Sequence, residues 1–553
     1  MANNEVIEKL ENIINELETK LGIFFDKQTL PKIICTLELY NYLCIDFYLN
    51  RPKYLPDFYY HINNGITEVI KYYFSLQKKN LFYRFTDKVS EPNRRICYDT
   101  LMDFAFLREM REYYYISDIE INEKQITIKP FTSNYLEIED FYRDQNFYFN
   151  SSLNDLNKSI FSQINNDRDK LFIALSDFYK YVIESSGVTM DAKFGGLPYV
   201  SYVTAIFYLI TISTEHSNLL IDRDFSINRI KICDTYSIKK DMLNYINEYQ
   251  KKLYVRAIDL SATDVDKIFD VISINFDNYE TAIEKGHIDR LFIQLNNKLS
   301  TFITHYAPTE YLSTFSYLNR LLCSYFPEVY NKNRDNRENI MFAKLHDCIS
   351  SNKIEVKQGI KIRDNGKTLT DIDSVIYDQG NNTCYFLQFK YQDDFVRDVK
   401  TKKNQIDRIN KQIEQWFNSI NIWLKNHSLE RFLKDSHFKN VKATPKLKFI
   451  IFTQYNINQL LISKLNNDTI YVSDSLFYET YKQTANLHNL FNKIYKQNRK
   501  PIEEPEHNNA ECYIMDYKIL YDYGTENILK IQNRWHEVDD KNAIDVVSLL
   551  QSF

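Results

Sequence analysis

Thr370-Asp371-Ile372-Asp373-Ser374-Val375-Ile376-Tyr377 and Cys384-Tyr385-Phe386-Leu387-Gln388-Phe389-Lys390 are neighbours in the chain, with the polar cluster Asp378-Gln379-Gly380-Asn381-Asn382 between them. With the residues from Ile354 onward they read as three consecutive strands, the first two joined at Asp364-Asn365-Gly366. Asn-Gly supplies the two positive-φ positions of a tight hairpin turn, and the Gly and Asn of the second cluster tolerate left-handed backbone. Alternate residues of a strand share a face, so Asp371 and Asp373 fall together on the middle strand, and Gln388 and Lys390 on the third. Antiparallel pairing then brings carboxylate, amide and ammonium to one place. Carboxylate and amide oxygens are hard ligands suited to Mg²⁺, and a neighbouring ammonium can orient a water or neutralise developing phosphate charge. That is equipment for metal-assisted hydrolysis of a phosphodiester. The bland alternative is a half-solvated meander whose charges alternate with apolar residues, as is ordinary in antiparallel sheets.

These residues resemble the PD-(D/E)xK nuclease superfamily, whose signature is an Asp on one strand and an acid-x-Lys on the next. Asp373 stands at the Asp position and Gln388-Phe389-Lys390 where the acid-x-Lys would be, which is similar to the Asp…Gln-x-Lys variant of Mrr-like restriction enzymes. The resemblance implies that Asp373 and Gln388 hold Mg²⁺ (or Mn²⁺) and that Lys390 orients the attacking water. Gln offers a neutral oxygen, so Glu338 or Asp371 would supply the missing charge. The surroundings extend the likeness. A helix is expected over Asp335–Ser350, with Glu338 near its start, and a long amphipathic helix over Lys400–Leu424, with Ile406, Ile409, Ile413, Trp416, Phe417 and Ile420 as its apolar stripe. Gln405, Arg408, Gln412 and Gln415 form a second stripe beside it. Strands at Leu447–Phe452 and Thr469–Val472 complete an α-β-β-β-α-β-β order like that of a restriction-endonuclease-like core, spanning roughly 331–495.

At 553 residues the chain is too long for one core, and two to four domains are expected. A net charge of −5 lacks the basic balance of a nucleic-acid binder, so attraction to phosphate has to be local. The densest basic run near the motif is Lys400, Lys402, Lys403, Arg408 and Lys411 on the amphipathic helix, and Lys402, Lys403, Arg408 and Gln412 are the candidate DNA contacts. Their ordinary alternative is a solvated helix face. Eight scattered cysteines without a Cys-x-x-Cys pair argue against a disulfide framework or zinc cluster. The first residues carry no basic region followed by an apolar core, so a cytoplasmic protein without a signal peptide is expected.

Before residue 331 the periodicity predicts a mainly α region of 1–330, with one or two subdomains. Helices are expected over Asn4–Phe25, Lys32–Leu49, Ile62–Lys78, Asp99–Tyr114, Ser152–Ser186, Lys239–Leu260, Ala262–Phe276, His287–Tyr306 and Glu310–Phe326. A hairpin interrupts them at 116–130, where isoleucines alternate on either side of a polar turn. Phe194–Thr214 is uncharged for 21 residues, but Gly195, Gly196, Pro198 and several hydroxyls point to a buried core helix rather than a membrane span. After a linker-like run at 496–506, a small extension to residue 553 is expected to add a strand pair, Cys512–Met515 with Ile528–Ile531, and a closing helix at Ala543–Leu550. Gly366-Lys367-Thr368 lacks the earlier glycine of a phosphate-binding loop, and no His-Glu-x-x-His or Gly-x-Ser-x-Gly occurs. Tyr59-Tyr60 and Tyr113-Tyr114-Tyr115 are candidates for base stacking, with core or rim packing as the alternative.

The expectation is therefore a Mg²⁺-dependent DNA endonuclease, similar to effectors of restriction or anti-phage defence. Its partners would be DNA, a defence protein or phage component bound through the N-terminal region, and a second copy in a homo-oligomer, with no membrane. The alternative is a catalytically inactive nuclease-fold module that binds nucleic acid or protein.

Overall fold

Asn365 (φ 48°) and Gly366 (φ 78°) are both left-handed, as the tight turn expected there requires. The computed structural model describes residues 4–26, 36–37, 56–77, 97, 100–105, 107–108, 110–111, 117–130, 167–183, 187–222, 232–280, 292–295, 298–302, 318–334, 337–349, 351, 353–391, 399–453, 468–499, 508–514 and 517–523. The chain is mixed α/β. Its first part holds α1 (Asn4–Asp26), α2 (Pro56–Gln77), the hairpin β1 (Ser117–Asn122) and β2 (Gln125–Pro130), and α3 (Arg168–Ile183). A short pair, β3 (Lys193–Phe194) and β4 (Leu197–Pro198), leads into α4 (Tyr199–Asp222). Then come β5 (Ile232–Asp234), α5 (Thr235–Leu253), α6 (Ala262–Ile272), β6 (Ser273–Ile274), β7 (Phe292–Gln294) and β8 (Leu299–Phe302). The next run is α7 (Pro327–Arg334), α8 (Arg337–Ile349), β9 (Ile354–Asp364), β10 (Lys367–Asp378), β11 (Thr383–Lys390), α9 (Val399–Leu424) and α10 (Leu429–Asp435). Last are β12 (Lys446–Thr453), β13 (Thr469–Ser473), α11 (Asp474–Thr484), α12 (Leu487–Gln497), β14 (Asn508–Ile514) and β15 (Tyr517–Tyr523).

Five strands form the sheet that positions the candidate site, in the order β13-β12-β11-β10-β9. β9, β10 and β11 are antiparallel, whereas β12 and β13 run parallel to β11. Parallel strands need a crossover, and α9 with α10 provides it between β11 and β12. Ile409, Ile413, Trp416, Phe417 and Ile420 of α9 bury against Val375, Phe386, Phe449 and Ile451. The other face packs Met341, Leu345 and Ile349 of α8, with Phe477, Leu490, Phe491 and Ile494, against Ile376, Leu387, Phe389 and Phe452. Covered on both sides, β11 reads as a continuous apolar run rather than an alternating one.

The first part of the chain is less helical than its periodicity predicts. The helix expected at His287–Tyr306 is, in its described portion, the strands β7 and β8, which join β5 and β6 in a four-stranded sheet of order β5-β8-β7-β6. Likewise the helix expected to reach Phe276 starts from a Ser261–Asp264 capping box and stops at Ile272, where the chain enters β6. Gly195 (φ 57°) and Gly196 (φ 85°) turn the chain into α4, whose residues Tyr199–Ile210 are all buried. Two of its hydroxyls are satisfied locally, Thr204 donating to the Val200 carbonyl and Thr211 to that of Phe207, whereas Ser201 donates to Gln250 Oε1. Among the described residues no helix is long and apolar enough to cross a membrane.

Cys512–Ile514 lies in β14, as a strand was expected there. β14 pairs with β15, and β15 pairs in parallel with β2, so residues 117–130 and 508–523 share one sheet of order β1-β2-β15-β14. Ile528–Ile531, the closing helix, Tyr113-Tyr114-Tyr115 and all but two residues of Lys32–Leu49 lie outside the described residues.

Candidate functional site

The site forms where two strands part. β10 pairs with β11 from Asp378 opposite Thr383 as far as Ser374 opposite Leu387. From there β11 continues beside β12 to Lys390, while β10 continues with β9 to the turn. Asp373 sits at the fork. Opposite it in the β9 register falls Gly359, in the left-handed region at φ 65° with open space where a side chain would stand. Such a residue breaks the pleat, and the burial pattern records the break. Ile372 and Val375 both join the core under α9, whereas unbroken alternation would place Ile372 with Ile376 in the opposite core. The alternation expected along this strand is thus broken between Ile372 and Val375, the interval that holds Asp373.

Asp373 Oδ2 accepts two hydrogen bonds, one from Gln388 Nε2 at 2.5 Å and one from the Phe389 backbone N–H at 2.7 Å. Gln388 is 7% exposed, and its Oε1 is buried with no hydrogen-bond partner. Turning the amide over would aim Oε1 at the carboxylate, so the orphaned oxygen follows from the charge on Asp373. Burial pushes the Asp373 carboxyl up to about 7, with Glu338 and Asp371 adding to the rise and the Phe389 N–H and Lys390 opposing it. Burial also lowers the Lys390 ammonium below the usual lysine range, against the pull of Asp373, Glu338 and Asp371. Glu338 and Asp371 therefore act electrostatically on both Asp373 and Lys390, and Gln388 joins them through its hydrogen bond to Asp373. Glu338 and Asp371 are the exposed members.

Among the described residues no group of three or more His, Cys, Asp or Glu side chains is spaced to hold a metal ion. The donor set is one carboxylate and one buried amide oxygen. An unpartnered buried oxygen beside a carboxyl that burial resists ionising fits a hard divalent cation, which would satisfy both.

α9 runs alongside, held to the site by Trp416 Nε1 donating to the Asp371 carbonyl at 2.9 Å. Arg408, Lys411, Gln412 and Gln415 are exposed on it. Lys402 and Lys403 belong to the helix, but their side chains lie outside the described residues. Two features escaped the sequence reading. Gly359 is one. The other is Arg337, at the start of the helix expected over Asp335–Ser350, which is 2% exposed, its guanidinium 3.9 Å from the Tyr391 ring and donating to Tyr330 Oη at 2.6 Å. Tyr391 follows Lys390 and Glu338 follows Arg337, so this contact ties the end of β11 to the start of α8. Compared with models of known families, with curated proteins and with solved structures, the chain matches none.

Proposed function

We propose that the chain is a Mg²⁺-dependent DNA endonuclease of the PD-(D/E)xK type in its Asp…Gln-x-Lys form, acting as an effector of restriction or anti-phage defence. The observation that carries the reading is the convergence of Asp373, Gln388 and Lys390 at the fork, with Gln388 Oε1 buried and unpartnered. The antiparallel-then-parallel sheet between two helical layers supports a restriction-endonuclease-like core over 331–495. Asp373 and Gln388 would hold Mg²⁺ or Mn²⁺, with Glu338 and Asp371 adding negative charge nearby. The cation, when bound, supplies Lewis-acid stabilisation of a phosphoryl oxygen. Lys390, held beside Asp373, orients the attacking water and faces the developing phosphate charge. Residues 1–330 would recognise the activating partner.

Incubating the purified chain with supercoiled plasmid and Mg²⁺ or Mn²⁺, with and without Lys390→Ala, tests the reading. Nicking that disappears in the variant is expected. Nicking that survives it removes Lys390 from the chemistry. The second reading, a non-catalytic module that binds nucleic acid or protein, is favoured by the small donor set. It gains if no plasmid is cut under any condition.

A further inference from the structure

Past the fork, residues 360–364 and 367–372 leave the sheet as a two-stranded ribbon. One face of this ribbon is closed, because Ile360, Ile362 and Ile372 pack into the core under α9. The other face carries Lys361 opposite Asp371 and Arg363 opposite Thr368, while Lys367 stands at the turn opposite Asp364. All three cations are exposed, and among the described residues none takes part in an ion pair. Asp371, across from Lys361, also acts on Asp373 and Lys390, so the cationic face runs into the site. The nearby Asp364 points elsewhere, toward His427 at 3.8 Å. A register shift between Thr368 and Thr370 leaves Leu369 37% exposed near the tip. Such a bulge increases the right-handed twist of a ribbon and re-aims its side chains.

We propose that this ribbon enters the major groove of a B-form DNA duplex and brings a backbone phosphate to the fork at Asp373. The inference rests on the nuclease reading and names its substrate class. The major groove is about 12 Å wide and admits a two-stranded ribbon, whereas the A-form RNA major groove is deep and too narrow for side chains to read. A strand of five residues reaches about 17 Å, enough to cross the groove. Lys361, Arg363 and Lys367 neutralise phosphates on its walls, and Leu369 offers an apolar contact of the kind thymine methyl groups accept. Duplex DNA is thus the substrate, in preference to duplex RNA or single strands.

Binding is measured in EDTA, where no cleavage occurs, by fluorescence anisotropy of the full chain with a 20-base-pair DNA duplex, an RNA duplex of the same sequence and each single strand, across a salt series. The DNA duplex is expected to bind tightest. The Lys361→Ala/Arg363→Ala/Lys367→Ala variant should lose up to about 2.7 units of log–log salt slope, at ~0.9 per phosphate contact. Arg363→Glu alone should weaken binding more than Arg363→Ala, and both variants should keep the wild-type thermal midpoint because the side chains are exposed. RNA bound as tightly as DNA, an unchanged slope in the triple variant, or no binding by the wild type overturns the proposal. A wild type that binds DNA through the ribbon but leaves plasmid intact in Mg²⁺ sinks the nuclease reading alone, and one that nicks plasmid with an unaffected ribbon variant sinks the ribbon alone.

Discussion

Gln388 and Asp373 share one hydrogen bond, and replacing the amide tests both residues. In Gln388→Glu a second carboxylate would face Asp373 across 2.5 Å, so the metal-free protein should melt at a lower temperature while Mg²⁺ binding tightens. Calorimetric titration checks the affinity, and an unchanged value would remove Gln388 from the ligand set. Asp373 makes a separate prediction about pH. Its carboxyl is raised to about 7 from an ordinary 3.8, so between those values the folded chain holds a proton that the unfolded chain has released. Rising pH then favours unfolding through that window, by at most about 1.4 kcal/mol for each pH unit crossed. The thermal midpoint of metal-free protein should fall from pH 4 to pH 7, and Asp373→Asn should flatten that slope. A midpoint that rises over the window in the wild type but not in the variant would contradict the burial seen at the fork.

The helix α9 has an inner side that the sequence displays openly and an outer side whose role needs an experiment. Removing Lys402, Lys403 and Arg408 together should flatten the salt dependence of DNA binding by up to about 2.7 log–log units without unfolding the chain. Equal affinity across the salt series would make this a solvated face. The joint between α7 and α8 gives a stability prediction. A Cβ on Gly187 would come 2.5 Å from Arg337 Cγ, and Gly187 is itself left-handed at φ 73°. Gly187→Ala should therefore cost about 1–3 kcal/mol in urea denaturation. Much of the five-stranded sheet was legible because its signals are local: Asn365-Gly366 names the turn, and the apolar run of β11 announces burial on both faces. The strands β7 and β8 were not legible, because three or four residues carry little period and take their shape from partners such as β5, remote in sequence. At the site, residue types betrayed Asp373, Gln388 and Lys390. The kink beside Asp373 depends on the backbone of the opposite strand, and the burial of Arg337 on two tyrosines from separate elements, so neither could be read from spacing.

At the level of the whole molecule, the sheet of order β1-β2-β15-β14 ties residues 117–130 to residues 508–523. Gln125 pairs with Lys518, roughly 390 residues further on. Truncation after residue 500 should leave β2 as an open edge, lowering the thermal midpoint and raising light scattering on heating. A truncated protein as soluble and stable as the full chain would show that β14 and β15 add nothing to the N-terminal part. The same pairing sets a clock on synthesis. At 5–20 residues per second, β2 leaves the ribosome about 20 to 80 s before its partner strand exists. A lone hairpin is marginal in water, so β1 and β2 wait through that interval half-built, with only Gln125, Thr127 and Lys129 to make the edge polar. A copy released too early never closes the sheet, and its bare edge marks it for proteases and chaperones.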